Sequence, residues 1–120
     1  MKNVDRAFGW LMVVGGTGHA IGSVMALANK PDVLVWALSG SVAAWLLAAL
    51  NLMRVNRPMD RTLAWVCAAG SIASVFIALG FGMSIGNAFD PRALVNAFDA
   101  AVLAGFSVRA AVLARRDDRA

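Results

Sequence analysis

The chain has no tyrosine and no glutamate, and among its 120 residues there are one cysteine, one histidine and three prolines. A single cysteine allows no intramolecular disulfide, and a single histidine supports no multi-ligand metal site. No nucleophile–base pair, carboxylate dyad or metal-ligand spacing is apparent, so an enzyme is the weaker class and no cofactor is implied. Charge is scarce too. Asp, Glu, Lys and Arg make up 15% of the residues, against about a quarter in a soluble domain.

What is abundant is apolar. Hydrophobic residues make up 60% of the chain, and its mean hydropathy is +0.69. Four long apolar segments run over about 8–28, 33–53, 62–86 and 93–114. Each reaches the roughly 20 residues that cross a ~30 Å hydrocarbon core as a helix. The first three hold His19 as their only ionisable side chain besides Cys67, and the fourth holds Asp99 and Arg109. The expected architecture is a single all-α domain over 1–120, an integral membrane four-helix bundle. Turns of a few residues favour up-down-up-down connectivity.

Two other readings of the first segment fail. "MVVGGTGHAIGS" at 12–23 looks like a phosphate-cradling loop. From Gly16, however, the third glycine falls at Gly22, one residue too late for a dinucleotide fingerprint, and the 36–42 region has no carboxylate to hold a ribose. Lys2 and Arg6 before an apolar run, with Ala26-Leu27-Ala28 after it, resemble a secretory signal peptide. That run is longer than the 7–15 residues of a typical signal core. A retained helix is expected.

The basic residues set an orientation. Lys30 and Arg92 fall on one side, while Lys2, Arg6, Arg54, Arg57, Arg61, Arg109, Arg115, Arg116 and Arg119 fall on the other. The positive-inside rule therefore places both termini in the cytoplasm. Composition rich in alanine and arginine suggests a bacterial inner membrane. The net charge of +4 is explained by topology, so nucleic acid is not an expected partner. Anionic lipid is a natural neighbour of the cytoplasmic arginines. The bias also argues against small exporters and fluoride channels that insert in both orientations. The chain lacks the exporter's glutamate and the fluoride channel's helix break.

Asp32, Asp60 and Asp90 precede apolar segments and read as helix N-caps, with Pro91 at a first helical position. Trp10 and Trp65 fall near the cytoplasmic interface and Trp36 near the outer one, while Trp45 lies mid-membrane. Small residues recur every fourth position at Gly70, Ser74, Ala78, Gly82 and Gly86, which predicts the tightest helix contact there.

Polar residues inside a span are costly and mark candidate sites. Asp99 leads, with Asn96 one turn before it. His19 reads as a proton relay, a substrate contact, a hydrogen-bonded structural residue or, more remotely, a haem or quinone contact. Ser71 and Ser74 share a face with Cys67. The functional expectation is movement of protons, ions or a small solute along a seam of Asp99, His19, Asn96, Ser71 and Ser74. One such bundle encloses little space, so a homo-oligomer or a larger membrane partner is expected. The alternative is an accessory or scaffold subunit.

Overall fold

The computed structural model describes the backbone of residues 1–117 and the side chains of residues 1–114. Arg119 and the side chains of Arg115 and Arg116 lie outside the described residues. Four helices follow one another: α1 Lys2–Leu27, α2 Pro31–Asn56, α3 Arg61–Ser84 and α4 Pro91–Asp117. No strand occurs among the described residues. All four helices are long and apolar enough to cross a membrane, and the molecule measures 58 × 23 × 22 Å.

The helix ends follow local chemistry. Asp60 caps α3, its Oδ1 accepting the Leu63 N–H at 2.9 Å. Asp90 accepts the Arg92 N–H at 2.9 Å ahead of Pro91, which needs no hydrogen bond at the first helical position. Asp32 behaves differently. Pro31 opens α2 two residues earlier than expected, so Lys30 is the cap position and Asp32 sits inside the first turn. There its charge faces the positive end of the helix dipole without capping it.

The end of α3 depends on one glycine. Gly86 has φ +72°, a conformation a side chain disfavours. Its N–H bonds the Met83 carbonyl at 3.0 Å, and the Asn87 N–H bonds the Gly82 carbonyl at 2.9 Å. This pair of bonds is the Schellman termination. It stops α3 at Ser84, two residues before the apolar run ends.

The surface is apolar and much of the interior is polar. Large side chains such as Ile21, Trp36, Phe76, Ile77 and Phe98 are exposed, whereas Ser41, Asn51, Arg54, Ser71, Asp99 and Ser107 are buried. In water this arrangement would leave most of the large apolar groups unburied; against lipid it costs nothing.

Buried positions recur at alternating steps of four and three. On α4 they are Ala93, Ala97, Ala100, Ala104, Ser107, Ala111 and Ala114. On α3 the matching series is Ala64, Ala68, Ser71, Val75, Ala78 and Gly82, with Val75 and Ala78 half-buried. Such 3.5-residue spacing keeps one seam facing a partner along its whole length. The pair α3 and α4 packs most extensively, followed by α1 and α2. The every-fourth series drifts off this seam: Gly70 meets Leu47 of α2, while Gly82 meets Ala93 of α4.

Contacts between α1 and α2 run in reverse order along the two helices. Asp5 meets Arg54, Gly9 meets Leu52, Gly16 meets Trp45, and His19 meets Ser41. At Gly16 an added Cβ would lie 3.0 Å from the Trp45 indole. Gly9 and Gly16 therefore admit a neighbouring helix.

Candidate functional site

Two polar regions lie inside the bundle, separated by an apolar layer. The first is near the end that gathers the start of α1 and the end of α2. Arg54 donates to both carboxylate oxygens of Asp5, at 2.6 and 3.0 Å, and both residues are buried. Arg54 also approaches Asn51 Oδ1 from Nε at 3.4 Å and from Nη2 at 3.3 Å. The Asn51 amide donates to the Leu47 carbonyl at 3.1 Å and to Ser71 Oγ at 3.4 Å. Ser107 Oγ shares its single proton between the Leu103 carbonyl at 2.7 Å and Asn51 Oδ1 at 3.1 Å. The cluster joins all four helices, and each polar group in it has a partner. A buried charge pair is tolerable on those terms.

Arg54 therefore belongs to α2 and not to the loop after it. The apolar run fades at residue 53, but its amphiphilic successor continues the helix to Asn56. The sequence did contain a signal: Asn51 and Arg54 stand three apart on one face, and Asp5 lies on the spacing of Gly9, Met12 and Gly16.

Next comes the apolar layer of Met12, Leu47, Ala48, Ala100 and Leu103. Beyond it lies Asp99, about 12 Å along α4 from Pro91 by the helical rise. Asp99 is 3% exposed, and its Oδ1 is the buried side-chain polar atom with no hydrogen-bond partner among the described residues. An unpartnered buried carboxyl oxygen is costly.

The remaining members of the expected seam are dispersed. Ser71 is fully buried but belongs to the Asn51 cluster, beyond the apolar layer from Asp99. Ser74 is half-buried. Asn96 is exposed; its amide donates to the Arg92 carbonyl at 2.8 Å, and its Oδ1 lies over Gly15. His19 Nδ1 and Ser41 Oγ are 2.9 Å apart, with the imidazole itself on the outer surface. Asp99 is thus close in sequence to Asn96 but separated from Ser71, and the five residues form no single line through one chain. Trp45 lies partly on the surface and donates to Thr17 Oγ1 at 3.2 Å.

No family model, curated protein or solved structure matches the chain. Chemistry must therefore be read from the residues themselves. Among the described residues no group of three or more His, Cys, Asp or Glu side chains could hold a metal ion.

At the far end Asp90 and Arg92 form a local clamp. Arg92 Nη2 and Nε approach the two Asp90 oxygens at 2.8 and 3.0 Å. The guanidinium also lies 5.7 Å from the centroid of the Phe81 ring. Hydrogen bonding to Arg92 holds the Asp90 carboxyl down at about 2. This acid serves the helix end, as capping chemistry requires.

Proposed function

We propose that the chain is an integral membrane protein of the bacterial inner membrane, an up-down-up-down bundle with both termini cytoplasmic, that moves protons or a small cation by way of Asp99. The observation that carries this reading is the Asp99 Oδ1 without a partner inside the bundle. Occupancy by a proton or a cation removes the cost of that orphaned oxygen. The basic residues support the orientation, since Lys2, Arg6, Arg57 and Arg61 all belong to one end.

The apolar layer between Asp99 and Asn51 argues against a continuous path through one chain. Exposed His19, whose imidazole bonds buried Ser41, and exposed Asn96 offer polar groups to a second copy. Transport through an oligomer fits that distribution. Asp99→Ala should abolish proton or cation flux in proteoliposomes while leaving the helical circular dichroism unchanged; undiminished flux would eliminate Asp99 as the site.

A second reading, an accessory subunit, rests on Gly18 and Gly22. They stand one turn apart on the outside of α1 with no neighbour within 4 Å. That spacing suits close approach by another membrane helix. Co-purification of a stoichiometric partner favours this reading, and a clean homo-oligomer counts against it.

A further inference from the structure

A groove of about 290 Å³ opens at the end of the bundle that carries the Asp5–Arg54 pair. Its walls include Lys2 from α1, Val55 from α2, Pro58 from the following turn, and Phe106, Arg109 and Leu113 from α4. Asp5 also borders the groove, but both its oxygens are taken by Arg54. That pair is neutral as a unit. Among the described residues Lys2 and Arg109 are then the side-chain charges left facing the opening, and neither forms an ion pair there. Arg109 Nη1 donates to Met1 Sδ at 2.8 Å, and a thioether is a weak acceptor for a group with five donors.

The groove therefore joins two cations to a largely apolar floor. We infer that it binds an anionic glycerophospholipid, with the phosphate between Lys2 and Arg109 and an acyl chain along Val55, Phe106 and Leu113. A free phosphate would use the cations but gain nothing from the apolar wall. A zwitterionic lipid would use the wall but leave the two positive charges uncompensated. Only an anionic lipid satisfies both halves. Basic pockets between membrane helices at the cytoplasmic face suit such headgroups.

This assignment rests on the membrane reading above, and the test separates the two. Membranes containing the full chain are first washed with alkaline carbonate; release of the chain sinks both readings. The retained protein, purified in mild detergent, is titrated with phosphatidylglycerol or phosphatidylcholine of matched acyl chains and followed by native mass spectrometry. Phosphatidylglycerol should bind preferentially, and Lys2→Gln and Arg109→Gln should each weaken it about fivefold. Arg92→Gln, at the opposite end, should leave binding unchanged. Equal binding of the two lipids, or full binding by the Lys2→Gln/Arg109→Gln double variant, overturns the lipid site alone. Displacement of the lipid by millimolar inorganic phosphate overturns it as well, because the groove would then take a soluble anion.

Discussion

Asp5 and Asp99 are both buried acids on membrane-length helices, yet their surroundings are opposite. Asp5 meets a guanidinium through two hydrogen bonds, and that guanidinium is steadied in turn by Asn51. Asp99 has an oxygen with nothing to receive. Between them lies the apolar cluster of Met12, Leu47, Ala48, Ala100 and Leu103. One end of the interior is electrostatically complete, and the other is left open. A complete network resists change and fixes geometry. An incomplete one invites a ligand, which is why the functional proposal rests on Asp99 and not on the larger cluster.

Substitutions should expose this contrast. The largest effect belongs to Arg54→Met, which strands Asp5 in the interior. It should cost about 3–5 kcal/mol in reversible unfolding from detergent, with most of the loss recovered in Asp5→Leu/Arg54→Met. If the single variant is as stable as the parent, the pair is not buried as described. Asp99→Ala should act in the opposite direction. Removing a carboxyl that lacks a partner should leave stability unchanged or raise it by about 1 kcal/mol, by the same assay. A large loss would mean that Asp99 has a partner in the folded chain, and the contrast would collapse.

The smallest effect concerns a third acid, Asp90, which is satisfied but lies at a helix end. Its folded carboxyl titrates at about 2 against an ordinary 3.8. Because the folded value is depressed, its contribution is fully present above pH 3.8 and disappears as pH falls through about 2. A carbon-detected titration of the Asp90 carboxyl should show the low midpoint, and Arg92→Gln should move it upward. A midpoint unmoved by Arg92→Gln would assign the shift to the helix end alone.

The four helices were legible because hydropathy integrates over some twenty residues and tolerates errors at each end. Asp60 and Asp90 were legible as caps because capping is local. Arg54 was not. Its burial depends on Asp5, which is 49 residues away in the chain, and a charged residue at the margin of an apolar run reads as loop unless its partner is known. The seam of α4 was hidden for another reason. Alanine is so frequent there that four-residue and alternating four-and-three spacings both find members, and only packing against α3 selects one. Asp99 was visible as an expensive residue at depth, but the loneliness of its oxygen is a property of the neighbours. The separation of exposed His19 and Asn96 from buried Ser71 likewise follows from helix rotation, which composition does not encode.

The Asp5–Arg54 pair has a further consequence. Gly9 and Gly16 leave α1 a shallow face against Leu52 and Trp45 of α2, and a shallow face by itself fixes register weakly. Sliding by one turn, about 5.4 Å, would part the carboxylate from the guanidinium. Because the pair bridges the first turn of α1 and the last turn of α2, it works as a register pin for the hairpin, a use of buried charge that is specificity more than stability. In Asp5→Leu/Arg54→Met a slipped hairpin would show as a one-turn change in which pairs of cysteines, introduced one on α1 and one on α2, cross-link. The helices are held together by their small residues, and they are held in place by two charges.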